Sequence, residues 1–196
     1  FQLGLDYMVF ATAPSMDGVV SIGAALITNY VKTTYQAHVP LAVIGDTDIL
    51  AAAPMEMITA GLGDILGKYT CLLDWKMAHI ITGEYYCSHI ADMVKEAVEI
   101  VVEESTRIKD RNPDAVKAVT EALVLSGIAM SFVGNSRPAS GSEHHLSHYW
   151  EMKFQAEGKK PILHGIKVGI GMIAVTKMYE TCLLYTSDAA DEARSV

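Results

Sequence analysis

Cysteine, proline and basic residues are all scarce in this 196-residue chain, and no long uninterrupted apolar run occurs. Three cysteines, Cys71, Cys87 and Cys182, show no CxxC pairing. That argues against a disulfide framework and fits a reducing, cytoplasmic setting. Lys and Arg number 15 against 23 Asp and Glu, so the formal net charge is −8. Nucleic acid is therefore not an expected partner, because binding a phosphate backbone needs a basic surface. A single phosphorylated small molecule is not excluded, since one phosphate needs only one or two cations and some backbone N–H groups. The most apolar stretches, residues 19–27 and 168–175, fall short of a membrane span and contain glycine. The chain opens at Phe1, straight into a strand-like segment, so a preceding part is expected.

What the chain does contain changes character near Pro54. Before it, Tyr7 to Ala11 is rich in β-formers and ends at the loop Thr12-Ala13-Pro14-Ser15-Met16-Asp17-Gly18. A strand is expected across residues 25–35 and a shorter one across 41–44, pairing as a hairpin through the loop near Ala37 to Pro40. From Pro54 onward, apolar residues recur at helical spacing: Met55, Ile58, Leu62, Ile65, Leu66 and Tyr69. Pro54 suits a first helical turn. A second helix is expected over 84–110, with Ile90, Val94, Val98 and Val101 on its apolar face. Asn112-Pro113-Asp114 reads as a cap and first turn of a third, with Val116, Val119, Leu123 and Ile128 inward. Two more follow, from Ser142 to about Ala156 and from about His164 to Glu180. The segment from Cys182 onward resembles the translated read-through of a sequencing-library adapter, so residues 182–196 are expected to be a non-native tail.

Three short stretches concentrate the chemistry: Gly61-Leu62-Gly63-Asp64, Ser142-Glu143-His144-His145-Leu146-Ser147-His148, and Leu163-His164-Gly165. With Ser142 as a helix cap, His144 and His148 lie four apart and share one face, while His145 is rotated by about 100°. One carboxylate with two imidazoles is a sound ligand set for a catalytic divalent metal, because it leaves coordination positions open for substrate.

Three longer runs carry a family resemblance. Thr12 to Gly18, Ala60-Gly61-Leu62-Gly63-Asp64-Ile65-Leu66-Gly67-Lys68-Tyr69, and Asn135-Ser136-Arg137-Pro138-Ala139-Ser140-Gly141-Ser142-Glu143-His144 together resemble the sn-glycerol-1-phosphate dehydrogenase family, bacterial arabinose-operon type. That family is related to iron-containing alcohol dehydrogenases, glycerol dehydrogenase and 3-dehydroquinate synthase. The resemblance implies an α+β fragment: residues 1–53 as the C-terminal remnant of a Rossmann-like nucleotide-binding α/β domain, then an all-helical metal and substrate domain over 54–181. It also implies NAD(P)H as cofactor, one divalent metal (zinc, nickel or iron), and reduction of dihydroxyacetone phosphate to sn-glycerol 1-phosphate in phospholipid biosynthesis. A homodimer is the implied assembly.

Site residues follow from the same matches. Asp64, His144 and His164 match the metal ligands, and Asp17, Asp64 and His148 match the residues that contact substrate. Thr12, Ser15 and Ser21 match hydroxyl contacts to the nicotinamide half of the cofactor. Arg137 and Lys68 are added on chemical grounds as candidates for the substrate phosphate, Arg137 being equally suited to brace its loop through a salt bridge. Rival readings are glycerol dehydrogenase, which needs no phosphate cations, a dehydroquinate synthase-like lyase, which usually has Glu at the Asp64 position, and a helical metal-binding module without catalysis.

Overall fold

The computed structural model describes residues 4–29 and 31–194, with side chains through 182. β1 (Met8–Ala11) leads through a loop into a 3₁₀ turn, Asp17–Val20, and then β2 (Gly23–Thr28), β3 (Val31–Gln36) and β4 (Ala42–Gly45) follow. Seven helices complete the described residues: α1 (Thr47–Ala52), α2 (Met55–Leu66), α3 (Lys68–Thr82), α4 (Ser88–Ile108), α5 (Pro113–Val133), α6 (Ser142–Ala156) and α7 (His164–Arg194). This is the mixed, mostly helical α/β architecture the sequence implied.

Strand pairing differs from the expectation. The strand expected across 25–35 is two strands, β2 and β3, which pair antiparallel from Gly23 opposite Gln36 to Thr28 opposite Val31. The chain reverses at Asn29, which takes the left-handed region at φ 53° and so needs no glycine. β4 therefore has no hairpin partner in β3. It pairs parallel with β1, Met8 opposite Ala42 and Ala11 opposite Gly45.

Helix starts follow local chemistry. Asn112 caps α5, its side chain accepting from the N–H groups of Asp114 and Ala115, and Pro113 occupies the first turn. Asp46 caps α1 in the same way. Pro54 lies just outside α2 as its N-cap residue (ψ 132°), one place earlier than expected. The helix expected from residue 84 begins only at Ser88, because Gly83 ends α3 in a left-handed conformation (φ 74°) and residues 84–87 form the connection. α7 continues well past the expected end near Glu180.

α5 is long and apolar enough to cross a membrane by length and composition, yet half of that window is buried in the protein. Its Val116, Val119 and Leu123 join Val98 and Val101 of α4 and Ile58 and Ile65 of α2 in one core. Ile128 and Ile90 are only half-buried. That core fixes α2 from below, and α2 carries Asp64.

Candidate metal centre

Glycines decide how closely α2 and α7 approach. A Cβ on Gly165 would lie 1.8 Å from the Ala60 carbonyl oxygen, and one on Gly63 would lie 2.4 Å from the Gly165 carbonyl oxygen. Backbone therefore packs on backbone at the crossing, and Asp64 and His164, each one residue from a contact glycine, are carried together. α6 packs on α7 and supplies His144. One candidate ligand atom each from Asp64, His144 and His164 lie within 4.8 Å of one another. Small side-chain adjustments bring such a set to about 2 Å of a single divalent ion.

The donors are prepared by their neighbours. Glu143, fully buried, accepts from His144 Nδ1 at 2.8 Å, from Thr70 Oγ1 at 2.6 Å and from the Gly141 N–H at 2.7 Å. Burial alone would raise the Glu143 pKa, but these donors outweigh it and hold the carboxyl below its ordinary value. An ionised Glu143 can only accept, so Nδ1 carries the proton and Nε2, 3.5 Å from Asp64 Oδ1, is the nitrogen left for a metal. His164 is pushed down to about 4, chiefly by burial and against the pull of Asp64, so it is neutral at neutral pH with a lone pair to give. His148 falls to about 3 through burial, with the charge of Lys32 next in effect. The three imidazoles form a triangle with ring centroids 5.1 Å (144–164), 6.0 Å (148–164) and 6.1 Å (144–148) apart.

Lys68 lies at the floor of the cluster with no solvent exposure. Its ammonium sits 2.7 Å from Asp17 Oδ2, 3.1 Å from Asp64 Oδ1 and 2.9 Å from the Ala139 carbonyl. Burial opposes its charge, but the two carboxylates overcome this and hold it protonated; reciprocally, Asp64 stays ionised although burial would raise it. Asp17 completes the link: its N–H donates to Asp64 Oδ2 at 3.0 Å, and its carboxylate accepts from Ser126 Oγ at 2.8 Å. An ammonium has three donors, and all three of these are taken. Lys68 thus pairs with two carboxylates and a carbonyl at once, which leaves no N–H of its ammonium over for the phosphate contact expected of it.

The remaining expected residues are placed as follows. Arg137 does not join the cluster; its guanidinium makes a bidentate pair with Glu84, Nε to Oε1 and Nη2 to Oε2, both 2.6 Å, and braces the loop before α6. Ser142 is the first residue of α6 and not its cap, which is Gly141. Its N–H donates to Asp74 at 2.7 Å and its hydroxyl faces Tyr179 at 3.2 Å. His145 is exposed. Thr12 is exposed just after β1, Ser15 is half-buried in the same loop, and the Ser21 hydroxyl accepts the Gly23 N–H at 3.0 Å. Of this loop and turn, Asp17 is the side chain that reaches Lys68. Sequence reasoning missed Glu143, Thr70 and Ser126 as partners. Only Lys68, at the i+4 position from Asp64, had a readable pairing signal.

A profile of iron-containing alcohol dehydrogenases matches residues 1–54. A glycerol-1-phosphate dehydrogenase [NAD(P)+] of Halalkalibacterium halodurans is 42% identical over 180 residues, 92% of this chain and 45% of that protein. Another, from Pyrococcus horikoshii, is 37% identical over 179 residues, 91% of this chain and 51% of that protein. Among solved structures, glycerol dehydrogenase from Schizosaccharomyces pombe aligns with a TM-score of 0.69 at 19% identity, covering 91% of this chain and 46% of that one. The chain spans about half the length of the curated relatives it matches. By sequence it is similar to glycerol-1-phosphate dehydrogenases over about half of their length, and by fold it is similar to part of glycerol dehydrogenase.

Proposed function

We propose that this chain is the metal-binding part of an NAD(P)-dependent glycerol-1-phosphate dehydrogenase, which reduces dihydroxyacetone phosphate to sn-glycerol 1-phosphate. The convergence of Asp64, His144 and His164 at a glycine-lined helix crossing carries the reading. Identity of 37–42% to relatives of that name supports the substrate class. The domain reading belongs to the same proposal: residues 1–53 end a nucleotide-binding unit, 54–181 hold metal and substrate, and 182–196 are extraneous.

Within it, Asp64, His144 and His164 hold one divalent ion, for which zinc, nickel and iron all suit the donor set. When bound, the ion supplies Lewis-acid stabilisation of negative charge on the substrate oxygen, and the nicotinamide supplies the hydride. Glu143 fixes the ring of His144 and its protonation. Lys68 pairs with both Asp17 and Asp64, offsets part of their charge in a buried setting and helps keep Asp64 ionised. Asp17, held by Lys68 and Ser126, is placed to orient a substrate hydroxyl. His148, neutral at working pH, presents an imidazole that can accept or pass a proton from that hydroxyl. Thr12, Ser15 and Ser21 are assigned to the cofactor side. A cytoplasmic, homodimeric enzyme completes the reading.

The test follows NAD(P)H oxidation by the complete gene product after its metal is removed and restored. Expected is a metal-dependent preference for dihydroxyacetone phosphate over dihydroxyacetone, with sn-glycerol 1-phosphate as the product enantiomer. Equal or better use of dihydroxyacetone would move the protein to the glycerol dehydrogenase branch.

A further inference from the structure

A cluster of positive charge near the histidine triangle is assembled from residues far apart in the sequence. Lys32 on β3 and Lys167 on α7 converge on one oxygen of Glu151 on α6, at 2.8 Å and 3.3 Å. Lys167 is 4% exposed, and the Lys32 side chain only 12%. Two nearly buried ammonium groups thus share one carboxylate, leaving a local net charge of +1 in a chain whose overall charge is −8. Among the described residues no second carboxylate pairs with either lysine. Burying charge without full compensation is costly, so such an arrangement favours an incoming anion.

Its position relative to the triangle gives the anion a place in the reaction. Glu151 follows His148 by three residues on α6, and Lys167 follows His164 by three on α7. Glu151 on α6 and Lys167 on α7 therefore each lie one turn, about 4.5 Å of rise, beyond an imidazole. Lys32 lies on β3, which packs against α6. Lys167 and Glu151 also line a cavity of about 270 Å³ together with Lys159; neither Lys32 nor a histidine lines it. By contrast, the ammonium of Lys68 is saturated and the guanidinium of Arg137 is held by Glu84.

We propose that Lys32 and Lys167 receive the phosphoryl group of the substrate, a phosphomonoester of a three-carbon ketone or polyol, and that Glu151 holds the two ammonium groups side by side for it. The proposal rests on the functional reading above, and deepens it by naming the residues that tell a phosphorylated substrate from an unphosphorylated one. Two charge-assisted contacts at close range suit a phosphate dianion.

Two measurements test it. In the complete enzyme, Lys32→Met and Lys167→Met are each expected to lower the ratio of kcat/KM for dihydroxyacetone phosphate to that for dihydroxyacetone by about tenfold to a hundredfold. The loss is expected in KM more than in kcat, and Lys167→Arg is expected to restore most of it. A ratio unchanged by both variants, or equal losses on the two substrates, would overturn the assignment. Independently, calorimetry with inorganic phosphate on the metal-free 196-residue chain is expected to show binding that weakens about tenfold in each Met variant and strengthens in Glu151→Gln. If the complete enzyme shows no preference for the phosphorylated ketone, the functional reading fails on that result. The calorimetry then decides the basic pair alone, and phosphate binding that is absent or indifferent to the three substitutions refutes it.

Discussion

Lys68 shows how much of this site is organised by a single buried ammonium group. Asp17 and Asp64 are both nearly or fully buried, and without a cation between them each would face the other's charge in a low-dielectric setting. Breaking a buried ion pair by removing one partner typically costs about 3–5 kcal/mol, because the remaining charge is left unpaired. Lys68→Met is therefore expected to lower the stability of the metal-free chain by that amount, read as a shift in urea midpoint. A divalent ion can replace part of the missing charge, so the loss is expected to shrink when zinc is added. A stability change below about 1 kcal/mol, the range of exposed pairs, would contradict the role. Glu143 acts at the same scale: its three donors fix the proton of His144, a task invisible from its place in a run of polar residues.

At the scale of elements, the metal centre depends on how α2, α6 and α7 cross. Gly165→Ala would push a methyl group to within 1.8 Å of the Ala60 carbonyl oxygen, where neither backbone can yield without separating the helices. Overpacking of this kind costs about 1–3 kcal/mol or more. The variant is expected to bind zinc more weakly than the parent as well as unfolding earlier. Unchanged zinc affinity would show that the crossing does not set the ligand geometry. The helices themselves were legible because a 3.6-residue apolar period is a local signal: Val94, Val98, Val101, Val116, Val119 and Leu123 are all buried as their spacing implies. The sheet was not. The β2–β3 turn at Asn29 lacks glycine, and the β1–β4 pairing joins residues some 34 positions apart, so neither leaves a mark in a short window.

For the whole molecule, the three stretches that carry Asp64, His144 and His164 do meet at one point; the choice of these three among the histidines and carboxylates comes from the family resemblance. Their partners came from elsewhere: Lys32 reaches Glu151 across 119 residues, and Ser126 reaches Asp17 across 109. Such contacts are consequences of the assembled fold, and a single sequence carries no trace of them. Conversely, Arg137 looked available only because its partner Glu84 lies 53 residues away. Every role assigned to these residues depends on one buried constellation accepting one ion. Zinc K-edge X-ray absorption on the 196-residue chain loaded with one equivalent of zinc tests this most directly. A nitrogen and oxygen shell that includes two imidazoles and no sulfur is expected, with loss of that loading in Asp64→Asn. A sulfur scatterer in the first shell, or stoichiometric zinc binding unaffected by Asp64→Asn, would contradict it.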